Sequence, residues 1–196
     1  MFVMPSTRRQ AAIAGALVVV AALTAWVLVA RVPGWYGRVK ARPASAAAPA
    51  AAGSPGRKIK ASLFYVSDDG LRLIRVERDV AFGEGTVEQA RQIIEAQIAP
   101  AAGPLVSAVP KGTKLRTIFV TESGDAFVDF SAELVSGHSG GSTNELLTVY
   151  TLVNALCANL PAVRSVELLV DGKPVETLAG HVDLGRPLEK NLAWVE

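Results

Sequence analysis

A helix predicted between Ser142 and about Asn159 constrains this chain more than any other feature. Its apolar residues occur almost all round the helix instead of forming one stripe: Leu146, Leu147, Val149, Tyr150, Leu152, Val153 and Leu156. Such a helix is stable in water only when other elements cover it on several sides. We therefore predict that it lies in the middle of the core. A capping box with Ser142 as N-cap and Glu145 reaching back is expected to start it.

Paired strands are predicted on both sides of this helix, because runs of β-branched and aromatic residues are separated by turn residues. They cover residues 61–66, 71–80, 115–121, 126–130, 163–171 and 174–178. A second helix, with Thr86 as N-cap and Gln89 completing a capping box, is predicted to run to Ile98. Imperfect alternation at 71–79 predicts an edge strand.

The resulting order is strand-strand-helix, strand-strand-helix, strand-strand. Runs of paired strands interrupted by single helices are typical of the α+β class. We expect two helices packed on one face of a mainly antiparallel or mixed β-sheet, preceded by one transmembrane helix. The domain is predicted at residues 58–190, with a C-terminal tail at 191–196.

The N-terminal part differs in composition. Residues 11–30 carry no charge, and 20 residues at 1.5 Å each match a hydrocarbon core of about 30 Å. We predict a cytoplasmic tail at 1–10, a transmembrane helix at 11–30 and an Ala/Pro-rich linker at 31–57. The protein is then a single-pass protein of the cell membrane with an extracytoplasmic (periplasmic) C-terminal domain. A cleaved signal peptide is the alternative, although its apolar region would be about 7–15 residues long.

The distribution of charged residues along the chain limits the classes of partner that the domain can bind. Residues 1–56 hold six basic residues and no acidic one, whereas 57–196 hold 14 basic and 18 acidic residues. Because domains that bind nucleic acid are basic, we expect no nucleic-acid partner, and membrane contact only through residues 11–30. Two separated His and one Cys (Cys157) give no metal-ligand spacing, so neither a metal nor a cofactor is expected.

Residues 137–141 (Gly-His-Ser-Gly-Gly) fit the G-x-S-x-G elbow of serine hydrolases, with Ser139 as nucleophile and Asp171 and His181 following in triad order. An elbow needs a buried central strand ahead of it, and residues 131–136 make a poor one. Asp171 beside Gly172 is explained by a turn. We therefore expect no catalytic residue. A small-ligand site at the Gly137–Gly141 loop remains an alternative, because free N–H groups at a helix start attract anions.

Several stretches in sequence order resemble one known family, the GerMN domain. They are Val109-Pro110-Lys111-Gly112-Thr113-Lys114-Leu115, Val128-Asp129-Phe130-Ser131, Gly140-Gly141-Ser142 with Glu145, Tyr150-Thr151-Leu152-Val153-Asn154, Val170-Asp171-Gly172-Lys173 and Gly180-His181-Val182-Asp183. Together they span roughly residues 60 to 190.

The resemblance implies a non-enzymatic extracytoplasmic module, named for a sporulation and spore germination protein and similar to ring-building motifs of envelope assemblies. It implies no catalytic residues. This chain carries one copy of the domain and a predicted membrane helix, whereas the founding type has two copies and a lipid anchor. We therefore expect assembly with envelope proteins or with itself, through the edge strand at 71–79. Sporulation or spore germination is the process that the resemblance suggests.

Arg8 and Arg9 ahead of the uncharged run predict that the N-terminus is inside and residues 57–196 outside. Alkaline phosphatase fused after Glu196 should therefore be active, and a fluorophore that matures only in the cytoplasm should stay dark. Cytoplasmic fluorescence without phosphatase activity would contradict this topology. A mature N-terminus near Ala47, found by mass spectrometry, would replace the anchor with a cleaved signal peptide.

Overall fold

The computed structural model describes residues 56–196. The predicted transmembrane helix at 11–30 and nearly all of the linker lie outside the described residues. Within residues 56–196, no helix is long and apolar enough to cross a membrane.

The order of the main elements agrees with the predicted order, and the fold is α+β. The chain forms β1 (Lys58–Val66), β2 (Leu73–Ala81), α1 (Gly85–Ile98), β3 (Leu115–Val120), β4 (Asp125–Phe130), a short α2 (Glu133–Ser136), α3 (Ser142–Asn159), β5 (Ser165–Val170), β6 (Lys173–Pro174) and β7 (Leu188–Glu189). Helix α3 is buried over most of its length, as its sequence predicted.

The strands form two sheets, so the prediction of a single sheet was wrong. β1 and β2 make an antiparallel hairpin of their own. In the second sheet β4 pairs antiparallel with β3 and parallel with β5, and the short β6 and β7 both pair with β5. Helices α1 and α3 contact each other, and each contacts strands of both sheets. The outer edge of β1 is occupied by two side chains and, at Val66, by a single backbone bridge to Val106, so no strand joins the two sheets there.

Two amide side chains supply hydrogen-bond partners for the buried middle of β1. Residues 61–65 are all buried, so their backbone groups have no access to water. Gln97 of α1 donates from Nε2 to the Phe64 carbonyl (2.8 Å) and accepts the Phe64 N–H at Oε1 (2.9 Å). Asn159 of α3 does the same with Ser62, at 2.8 Å for both bonds. Each side-chain amide thus forms the two hydrogen bonds that a residue of a neighbouring strand would form.

Neither helix begins with the predicted capping box. The N-cap of α1 is Glu84 and that of α3 is Gly141, and no side chain caps either helix. Gly141 has φ 88°, in the left-handed region that glycine tolerates, and this turn leads the chain into α3 with Ser142 already inside it. In α1, Gln89 instead reaches back to the N–H of Gly83 (3.0 Å).

We predict that Gln97→Ala lowers the free energy of unfolding by about 2–4 kcal/mol, because it leaves the buried N–H and C=O of Phe64 without partners. Gln92 is the matched control. It lies on the same helix and bonds only the side chain of Glu88, so Gln92→Ala should cost less than about 0.5 kcal/mol. Urea unfolding of both variants measures the difference. Equal losses would show that the amide clamp contributes nothing specific.

Candidate functional site

The Gly137–Gly141 loop is fastened to α3 by His138. Its Nε2 lies 3.1 Å from Thr148 Oγ1, and its Nδ1 accepts the N–H of Gly140 at 2.9 Å. The Thr148 hydroxyl has the carbonyls of Ala108 (2.7 Å) and Asn144 (2.8 Å) as acceptors, so it receives its hydrogen bond from the histidine. This assigns the proton of the neutral ring to Nε2. Both ring nitrogens are therefore used to hold the loop.

The three residues of the hydrolase hypothesis have separate partners. Exposed Ser139 receives a hydrogen bond from Asn144 Nδ2 at 3.3 Å. Asp171 forms an ion pair with Arg116, and His181 lies beside Glu145. A serine nucleophile requires a base within hydrogen-bond reach, and no such bond joins these three side chains in the described part of the chain. Asp171 and Gly172 form the turn between β5 and β6, as the turn interpretation predicted.

A cavity of about 310 Å³ lies beside this loop, lined in part by His138, Ser139 and Thr148. The polar atoms of these three side chains already have partners within the domain. The N–H of Gly140, which an anion at the helix start would use, is bonded to the imidazole. These groups are thus already used in hydrogen bonds within the domain, and the small-ligand site at this loop stays a prediction.

Glu145 is a fully buried carboxylate in the first turn of α3. Its Oε1 accepts the N–H of Leu178 (2.8 Å), and its Oε2 accepts the N–H of His181 (2.8 Å). Burial by itself raises the pKa of this carboxyl, but backbone donors from residues 178, 179, 181 and 182 together hold the pKa below its usual 4.5. Glu145 thus fixes the loop after β6 to α3, whereas the sequence predicted a role in capping.

A second charged cluster joins β3, β4 and the β5–β6 turn. Asp129, near the end of β4, is almost fully buried and accepts the N–H of Gly172 at 2.7 Å. Arg116 Nε lies 3.3 Å from Asp129 Oδ2, and the same guanidinium pairs with Asp171. Two of the motif residues that carry the GerMN resemblance therefore have a structural role here.

Cys157, near the C-terminal end of α3, is a partly buried free thiol. Burial raises the pKa of its thiol to about 11, so the thiol is neutral at physiological pH. Between residues 56 and 196 no group of three or more His, Cys, Asp or Glu could hold a metal ion.

The predicted edge strand at 71–79 corresponds to β2. Its first residue is covered by the C-terminal segment, because the Leu73 N–H donates to the Trp194 carbonyl (2.8 Å) and the Glu196 N–H donates to the Leu73 carbonyl (2.9 Å). Between Leu73 and Val80 the exposed side chains are charged: Arg75, Glu77 and Asp79. Charges along an edge disfavour pairing with another strand. This edge is therefore partly covered and partly charged.

The outer edge of β3 is different. The Thr121 N–H donates to the Asp125 carbonyl at 3.0 Å, so the alternation of an antiparallel ladder directs the backbone groups of Ile118 and Val120 away from β4. No backbone hydrogen bond reaches these two residues from outside the sheet within residues 56–196. Phe119, between them, leaves 61% of its surface exposed. Sequence analysis recognised this strand, but alternation alone does not reveal that it lies at an edge.

Comparison with known proteins identifies the family. The profile of the Germane family, described as sporulation and spore germination, matches residues 62–176, more than half of the chain. The chain belongs to this family. The resemblance to the GerMN domain is thus confirmed. No curated protein matches the chain.

Three solved structures are similar to this member of the Germane family. The tandem GerMN domains of the Bacillus subtilis sporulation protein GerM share 15% identity at a TM-score of 0.51, covering 69% of this chain and 46% of theirs. The first GerMN domain of the same protein, solved alone, shares 16% identity at a TM-score of 0.46. The match covers 68% of this chain and 96% of that domain. A lipoprotein candidate from Clostridium perfringens shares 24% identity at a TM-score of 0.49. The match covers 68% of this chain and 88% of that protein. The tandem structure supports the fold, and this chain spans about half of it.

We predict that Glu145→Gln lowers the free energy of unfolding at about pH 7 by roughly 1.5–3 kcal/mol, because a carboxylate with several N–H donors is replaced by a neutral amide. The folded-state pKa lies below the unfolded value, so the stabilisation is complete above about pH 4.5 and is lost as pH falls through the folded pKa. The stability difference between wild type and variant should therefore narrow from pH 5 to pH 3. The exposed Glu95→Gln is the control, and a pH-independent difference would contradict the assignment.

Proposed function

We propose that residues 58–190 form a non-enzymatic protein–protein assembly module of the bacterial envelope, tethered by a transmembrane helix at 11–30. The process is sporulation or spore germination, which the description of the Germane family supports. Extracytoplasmic placement is supported by the uncharged run and by Arg8 and Arg9 ahead of it.

The open edge of β3 is the chief support for an assembly role. A strand with unpaired N–H and C=O groups is a template for pairing with another chain, and backbone hydrogen bonds then supply affinity. Phe119 adds a large apolar surface in the middle of that edge. Aromatic side chains dominate the energetics of protein interfaces, so Phe119 is the expected anchor residue.

The other strand edges are less suited to this role. The edge of β1 is closed by Gln97 and Asn159, and that of β5 is occupied by β6 and β7. The β2 edge at 71–79, which the sequence favoured, carries the C-terminal segment at Leu73 and charged residues after it. We therefore assign the contact to β3.

Photocrosslinking tests this assignment on the full chain in its native membrane. A photoreactive phenylalanine analogue at Phe119 should give protein crosslinks. The same analogue at Leu71, which is 59% exposed beside β2, should give none. Leu71 is the matched control because it is as apolar and as exposed as Phe119. Crosslinks at Leu71 alone, or at neither position, would contradict assembly through β3.

A further inference from the structure

We infer that the cavity between the C-terminal end of α1 and residues 105–114 binds a small aliphatic carboxylate, with Lys111 and Lys114 at its anionic end. The cavity has a volume of about 720 Å³, and its lining residues all lie within 98–114. Small-molecule sites in proteins have volumes of about 300–1,000 Å³ and are lined mainly by apolar side chains. The lining includes no residue of β3, so the inference does not depend on the proposed assembly role.

The apolar part of the lining is aliphatic. Its side chains come from the end of α1 and from the segment that follows, and they include Ile98, Ala101, Leu105, Val106 and Val109. No aromatic side chain lines the cavity, so stacking on a planar ligand contributes nothing to binding. An aliphatic chain suits this lining, because each methylene that it buries adds hydrophobic stabilisation.

The two hydroxyl side chains of the lining are already engaged within the domain. Ser107 Oγ accepts the Val109 N–H at 3.1 Å, and Thr113 Oγ1 donates to the Pro110 carbonyl at 2.8 Å. A sugar or a nucleotide carries many donors and acceptors, and each one that is buried without a partner opposes binding. The lining therefore favours a ligand whose buried part is apolar.

The charge of the lining is positive. Lys111 and Lys114 are both exposed, and neither forms an ion pair within residues 56–196. Glu133 lies near Lys114 but outside the lining. A hydrogen bond from Ser131 lowers the pKa of the Glu133 carboxyl most, and the charge of Lys114 adds a smaller effect. No carboxylate lines the cavity, so it attracts an anionic head group and repels a cationic one.

The walls of the cavity are held in place by the rest of the domain. The Val106 carbonyl accepts the N–H of Val66 in β1 at 2.8 Å. At the other end of the segment, the Lys114 N–H donates to Ser131 Oγ at 3.0 Å, and the Lys114 carbonyl accepts the Ser131 N–H at 3.0 Å. The site is therefore formed without a ligand, and little ordering of the protein opposes binding.

Methyl NMR of the full chain in phosphatidylcholine nanodiscs tests the site, with octanoate as the probe. Octanoate should shift the methyl signals of Ile98, Leu105 and Val109, and leave that of Leu169 on β5 unchanged. Affinity should rise about fourfold for each methylene between hexanoate and octanoate. Acetate, which lacks the chain, and octyltrimethylammonium, which has a cationic head, should not shift these signals at the same concentration.

Two sets of variants separate the apolar and the charged parts of the site. Ala101→Phe fills the cavity and should abolish octanoate binding, whereas Ala102→Phe, at an exposed neighbour outside the lining, should not. Replacing both Lys111 and Lys114 with Gln should weaken binding about tenfold. Lys173→Gln, at an exposed lysine on β6, is the matched control. An unchanged methyl spectrum of each variant without octanoate confirms that the fold is intact.

Three outcomes would overturn the inference. Methyl signals that octanoate does not shift exclude a site in this cavity. Equal binding of octanoate and octyltrimethylammonium, or full binding by the double lysine variant, excludes recognition of a carboxylate. Octanoate binding that survives Ala101→Phe takes place elsewhere. Crosslinking at Phe119 is a separate measurement, so the proposed assembly role can stand or fall independently of each result.

Discussion

The fold depends on hydrogen bonds between polar side chains of the buried helix α3 and backbone groups that lack strand partners. Buried backbone N–H and C=O groups must be paired, and segments outside a regular ladder need another source of partners. Four residues of α3 supply them, each to a segment distant in sequence. Glu145 binds the loop at 178–181, Thr148 binds Ala108, Asn154 binds Asn191 at both N–H and C=O, and Asn159 binds Ser62. An almost wholly apolar helix therefore also fixes the topology.

This arrangement explains how far the sequence could predict the structure. The elements and their order follow from local periodicity and turn residues, and the central position of α3 follows from its apolar surface. The separation of the two sheets does not follow from local sequence. Nothing in the residues around Gln97 or Asn159 shows that its side-chain amide forms hydrogen bonds with a strand far away in the sequence. The prediction that Glu145 caps α3 was wrong for the same reason. A carboxylate three residues after Ser142 is consistent with a capping box, but its partners lie more than 30 residues away.

The motif residues of the family also have a common physical role. Asp129, Asp171 and Glu145 hold turns and loops in place by accepting backbone N–H groups or by pairing with Arg116. Gly141 supplies a left-handed turn at the start of α3. These residues stabilise connections between elements, and their side chains are occupied in doing so. The candidate contact site therefore lies elsewhere, at the edge strand β3, whose exposure depends on how the whole sheet is assembled.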